Sequence, residues 1–340
     1  MRKREVCAIL FFTFCFTPNV RAQDIHFSEF YLSPILNNPA LTGVFNEDFK
    51  AGAMYRTQWN TVTVPFTTSL IDLETKVRVN EVNDYVSFGL LGYSDKAGSV
   101  GFQTNGVYPA VNYSKSLEDK YTSYISFGFT GGFIQRNMDI SKMTFDEQYV
   151  NGNFDPSSST GEQMLNNKIS YWDLGTGITF NSSLDMDNKT NYFLGVAAYH
   201  FTQPKNSIFN DPNAHLSIRW VFNGGINYES DLGYGVQIYA NIMVQKPYRE
   251  IVTGALGKWT FEGHSNDPAF ALYMGCFYRL NDALIPTMRV TYKKTTIGLT
   301  YDINNSSLET ATQSQGGFEV SLFYTGSFIN VTDQHLCPRF

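Results

Sequence analysis

Apolar and polar positions alternate along this chain. Val236, Ile238, Ala240, Ile242 and Val244 share one parity, while Gln237, Tyr239, Asn241 and Gln245 take the other. A period of two sends the two sets to opposite faces of an extended strand. Fourteen such segments follow one another, near 50–59, 68–77, 85–93, 102–116, 122–137, 171–181, 190–201, 216–229, 233–245, 248–261, 269–280, 283–292, 295–304 and 317–328, with no helical stretch between them. A soluble sandwich strand can alternate in the same way. An even run of fourteen behind an export leader predicts an all-β fold instead: a transmembrane antiparallel outer-membrane β-barrel, lipid outside and polar groups inside.

The leader is residues 1–22. Arg2, Lys3 and Arg4 precede an apolar run over 6–16, and Val20-Arg21-Ala22 ends in a small residue suited to cleavage. Residues 23–49 form an irregular segment, since Pro34 and Pro39 preclude a regular strand and Asn38-Pro39 favours a turn. Irregular backbone at membrane depth needs shelter, so the segment is expected to fold into or across the lumen mouth as a plug or periplasmic cap, with Arg56 meeting its carbonyls. Residues 50–328 make the barrel and 329–340 a tail. With both termini periplasmic, odd-to-even connections face outward, and the three longest, 138–170, 202–215 and 305–316, all do. The outer wall should be low at Lys246-Pro247 and Asn281-Asp282, as a docking notch or as ordinary loop variation.

Composition sharpens this picture. Aromatics make up 16% of the chain, enough for two interfacial girdles, and the net charge of −6 leaves no nucleic-acid footprint. The lipid-facing parities include Ile125, Phe127, Phe129 and Phe133; Leu216, Ile218, Trp220 and Phe222; and Phe318, Val320, Leu322 and Tyr324. The opposite parities hold Arg56, Arg136, Arg219, Arg279 and Arg289 against Asp72, Glu74, Asp173, Asp302 and Glu319, a balanced lumen network rather than an ion-selective ring. Gly128, Gly132, Gly175, Gly177 and Gly298 leave room beside the long arginines, and Pro109 and Pro286 mark bulges or a lateral opening. The mature chain keeps two cysteines, Cys276 and Cys337, which is no disulfide framework. Its histidines, His200 and His215 among them, show no metal-ligand spacing.

The opening motif runs Phe27-Ser28, Pro34, Asn38-Pro39-Ala40 and Gly43, followed by Tyr55-Arg56 and Trp59 in the first strand. Later come His200 with Pro204, and Gly298 with Tyr301-Asp302. Individually weak, in this order and spacing the set resembles the PorP/SprF family of type IX secretion system outer-membrane proteins. The resemblance implies a Bacteroidota outer membrane and a role in secretion or gliding motility. Partners would be outer-membrane lipid and either secretion-system components or a secreted adhesin-type cargo, bound or anchored through its C-terminal domain. It carries over no catalytic, cofactor-binding or metal residues, so the chain reads as non-enzymatic with no cofactor. The competing reading is a FadL-like channel for hydrophobic small molecules, which also combines fourteen strands with an N-terminal plug bearing Asn-Pro-Ala.

Overall fold

The computed structural model describes residues 24–58, 64–79, 83–150, 152–159, 167–207, 211–264, 267–306 and 315–328. The leader, Trp59 and the tail with Cys337 lie outside them. Sixteen strands appear among the described residues. The first five are β1 (Phe49–Gln58), β2 (Phe66–Arg78), β3 (Tyr85–Ala97), β4 (Phe102–Ser116) and β5 (Tyr124–Asn137). A two-stranded hairpin in the next loop is β6 (Tyr149–Val150) with β7 (Asn153–Phe154). Then come β8 (Lys168–Ser183), β9 (Thr190–Tyr199), β10 (Arg219–Glu229), β11 (Tyr234–Gln245) and β12 (Tyr248–His264). The last four are β13 (Asp267–Arg279), β14 (Ala283–Tyr292), β15 (Thr295–Asn304) and β16 (Gln315–Gly326).

Leaving the hairpin aside, fourteen antiparallel strands close into a barrel, sealed where β1 pairs with β16 from Phe49↔Gly326 to Gln58↔Gly317. Closure removes the sheet edges that a bilayer cannot solvate. The alternation sorts as the period demands. Phe129 and Trp172 stand 59% and 71% exposed on the outer wall, where hydrocarbon replaces water, while Asn112, Ser114, Ser126 and Thr179 are buried inside.

The long connections, 138–167 and 200–218, leave one end of the barrel, while short turns such as 184–189, 230–233 and 293–294 close the other. Short turns mark the periplasmic end, where β1 begins and β16 stops.

Three local expectations need correction. β10 starts at Arg219, so Leu216 is not lipid-facing: it is buried in the interior cluster, with its N–H held by the Pro204 carbonyl (3.0 Å). Ile218, also ahead of that strand, is only half-buried. Neither Pro109 nor Pro286 makes a bulge. Each interrupts pairing on one side, and the register resumes unchanged at Ala110↔Thr130 and Thr287↔Thr300. The register shifts fall instead between Thr260 and Gly263 and between Tyr301 and Ile303.

The core of this molecule is its lumen. One buried cluster joins Phe27, Ile35 and Leu36 to Met54, Leu70, Leu91 and Ile134; a second joins Phe30 and Leu41 to Phe193, Leu256, Phe277 and Ile285. Each such apolar side chain contributes roughly 1.5–3 kcal/mol on burial. Residues 24–44 thus hold the interior together, and a balanced charge network on the wall alone does not.

Candidate functional site

The N-terminal segment threads the barrel lengthwise. Asp24 lies among Arg136, Asp95, Asp282 and Asn304 at the loop end, whereas Phe45 sits near Lys50 and Thr325 at the short-turn end. Asp24, the first described residue, is thus at the loop end, while β1 begins and β16 stops at the short-turn end; both chain termini lie outside the described residues. Two short 3-10 turns, Pro34–Leu36 and Pro39–Leu41, shape the middle. Proline suits the first position of each, since its missing N–H has no partner to lose there. Asn38 caps the second turn by accepting from the Ala40 N–H (2.9 Å), and its amide donates to Asn223 Oδ1 (3.2 Å) and the Ile178 carbonyl (3.4 Å).

Three groups of buried charges clamp this segment. In the first, Glu319 accepts from the backbone N–H groups of Ser28 (2.6 Å) and Glu29 (3.3 Å). Arg56 donates to the His26 carbonyl (2.9 Å) and pairs with Asp302 (2.8 Å), which Arg279 also reaches (2.9 Å). The Ser28 hydroxyl donates to Asp302 (2.8 Å) and accepts from Arg279 (2.8 Å). In the second, Glu74 accepts from the Gly43 N–H (2.7 Å) and pairs with Lys50, while Ser33 donates to Asp72 (2.6 Å). Gly43 has φ +78, and a Cβ there would strike Ser87, so only glycine fits both the turn and the close approach.

The third group holds the outer end. Asp24 bonds His200 and lies 3.2 Å from Arg219, which donates to the Leu36 carbonyl (2.9 Å) and stacks on Tyr199. His200 also lies 2.7 Å from Asp173, and Tyr108 donates to that carboxylate (2.9 Å). Burial alone would strip the His200 proton, but Asp24 and Asp173 overcome it and hold the imidazolium to about 9, against 6.5 ordinarily. Burial likewise pushes Asp24 up, yet His200 and Arg219 hold its carboxyl well below the usual range. The His200 contribution is complete below its ordinary value of 6.5 and is lost as pH rises through about 9. That of Asp24 is lost only as pH falls below 3.8 toward its depressed value. Stability in urea should therefore decline between about pH 7 and 10, and His200→Gln should flatten that limb. An alkaline limb equally steep in the variant would contradict the assignment.

The inward glycines serve the segment rather than the arginines. A Cβ on Gly128 would lie 2.2 Å from the Ala40 nitrogen, one on Gly177 2.0 Å from Asn38 Oδ1, and one on Gly298 2.3 Å from Glu29 Oε1. Gly132 and Gly175 instead accommodate Tyr108 and Tyr199. Gly128→Val should displace the second turn at a cost of about 1–3 kcal/mol, read as a lower urea midpoint. An unaltered midpoint would contradict the packing.

Of the motif residues, Ser28, Arg56 and Asp302 meet directly, Asn38, Pro39 and Ala40 form the second turn, and Gly298 abuts Glu29. Phe27 is buried in the first cluster and Pro34 opens the first turn. Tyr55 and Tyr301 point outward, and Pro204 lies in the outer loop over residues 200–218. Sequence reasoning missed Asp24, Glu29, Lys50 and Tyr108. Lys50 and Tyr108 share parity with Arg56 and Asn112, which marks them as inward; Asp24 and Glu29 stand in an aperiodic stretch that gives no such signal.

The profile for the type IX secretion system membrane protein PorP/SprF matches residues 19–324. The chain belongs to the PorP/SprF family. No curated protein matches it in sequence. Among solved structures, the toluene transporter TbuX of Ralstonia pickettii is similar in fold: 11% identity, 87% of this chain and 93% of that one, TM-score 0.51. The TodX monoaromatic hydrocarbon channel in its deltaS2 form gives 11% identity, 87% and 94% coverage and TM-score 0.49. The P. putida toluene transporter TodX gives 9% identity, 86% and 93% coverage and TM-score 0.44. This PorP/SprF protein is thus an outer-membrane β-barrel of type IX secretion, a secretion or transport component by family.

Proposed function

We propose that this PorP/SprF barrel works by recognition at its outer face, binding the C-terminal domain of a secreted adhesin-type cargo and supporting its export or surface anchoring, in secretion or gliding. The leader is removed near Ala22, and residues 24–44 act as a plug. One observation carries the reading: the lumen is occupied by residues the barrel is built around, so the outer rim is left to do the work. That rim is tall over 138–167 and low at Lys246-Pro247 and 280–282, which leaves a one-sided notch. The tall side bears the β6–β7 hairpin, where Tyr149, Val150 and Phe154 are exposed in a loop beyond the strands. Apolar side chains on a two-stranded ribbon with free edges suit strand addition by an extended cargo segment.

The test is affinity purification from native outer membranes with mass spectrometry, for the wild type and for a chain with 149–154 replaced by Gly and Ser. A large secreted protein retained by the first and lost from the second is the expected result. Normal display of every adhesin-type C-terminal domain in cells lacking the barrel would end the proposal.

A second reading, passage of apolar small molecules as in a FadL-like channel, has one observation in its favour, an aromatic cavity on the inner side of the plug. Uptake of toluene into proteoliposomes at the rate of empty vesicles would exclude it.

A further inference from the structure

Below the plug, a cavity of about 230 Å³ opens toward the short-turn end. Tyr31 and Tyr239 line it and stack on one another, with ring centroids 4.6 Å apart. Arg289, only 6% exposed, reaches into it from β14. Its guanidinium lies 3.8 Å from the centroid of Tyr273 and 5.5 Å from that of Tyr31, and it donates to the neutral Gln237 Oε1 (2.5 Å).

Arg289 differs in one respect from Arg56, Arg219 and Arg279, each of which sits on a carboxylate. Among the described residues, none places a carboxylate within 4.0 Å of Arg289. Glu29 attracts Arg289 through space, but its direct hydrogen bonds come from Ser321 (2.7 Å) and Tyr31 (3.4 Å). The other cation on the cavity wall, Lys50, is neutralised by Glu74. A guanidinium taken out of water is unfavourable unless an anion meets it, and aromatic faces offset only part of that. The cavity therefore combines a guanidinium that no carboxylate touches directly with a wall rich in aromatic rings.

We propose that this cavity binds a small amphipathic monocarboxylate from the periplasmic side, its carboxylate bidentate on Arg289 and its aromatic or short alkyl body against Tyr31 and Tyr239. Planar guanidinium matches carboxylate geometry, and the ring faces take the apolar remainder. The site exists whichever of the two functions above holds, since it lies beneath the plug and uses no outer-loop residue.

Equilibrium dialysis of the purified full-length barrel in zwitterionic detergent tests this, with labelled 3-phenylpropionate against its neutral isostere 3-phenylpropanamide. The acid should bind at least about tenfold more tightly than the amide, because a site built around a charge rejects the analogue lacking it. Arg289→Gln should abolish that preference, and inorganic phosphate should not compete. Equal binding of acid and amide, acid affinity undiminished in the variant, or displacement by phosphate would each overturn the proposal. Folding is checked by heat-modifiable mobility on gels. If Arg289→Gln does not fold, Thr296→Trp, on the cavity wall and outside every ion pair, must abolish acid binding by filling the space, and retained binding overturns the proposal equally.

Discussion

Replacing Asp302 with alanine is expected to destabilise the barrel by about 3–5 kcal/mol, the usual cost of stripping one partner from a buried ion pair. The effect should reach the upper end because two guanidinium groups depend on this one carboxylate, Arg56 at 2.8 Å and Arg279 at 2.9 Å. Both are buried, so water does not replace what is lost. Glu319, 3.2 Å from Arg56, cannot compensate fully, because its two oxygens already accept from the Ser28 and Glu29 backbone. Asp302→Asn should cost less, since its amide oxygen still accepts while the charge is gone. Urea titration of vesicle-embedded protein reads both. Losses in the same range for Lys142→Ala, an exposed residue that pairs with Asp139 three positions away, would show that the assay does not report this cluster.

The wall of the barrel was legible in the sequence because its determinant is local. A two-residue period states which face each side chain takes, and the inward set of Arg56, Arg219, Arg279, Arg289, Asp72, Glu74, Asp173, Asp302 and Glu319 is buried in the structure. What parity cannot state is what those side chains face. Balanced charges suggested wall-to-wall pairs, and Arg56–Asp302 is one. Glu319 and Glu74, however, spend hydrogen bonds on backbone N–H groups of residues 28, 29 and 43, and Arg219 spends one on the Leu36 carbonyl. Those partners lie up to 291 positions away along the chain, with no periodicity to announce them. The glycines were misread for the same reason. Gly128 and Gly177 are gaps in the wall, and only the path of Asn38-Pro39-Ala40 shows what fills them. Proline was over-read: Pro109 and Pro286 lose ladder bonds, but the strands around them are held in register by their remaining pairs.

Deleting residues 24–43 should produce the largest functional change, an open channel in planar bilayers where the intact protein passes little current. The ladder β1 through β16 closes without the segment, so the wall is expected to assemble. Its interior, however, loses Phe27, Phe30, Ile35 and Leu41, whose burial is worth roughly 1.5–3 kcal/mol each. Water then enters beside Arg56, Arg279, Asp302 and Glu319, which remain as a hydrated, nearly balanced constriction with weak ion selectivity. Gly128→Val should give a smaller rise, since it displaces the second turn and leaves the clamps on Ser28 and Gly43 in place. The ordering matters more than either value. Conductance of the deletion equal to that of the intact barrel, with both folded by gel mobility, would mean that the current path does not pass where residues 24–43 lie, and the plug assignment would fall with it.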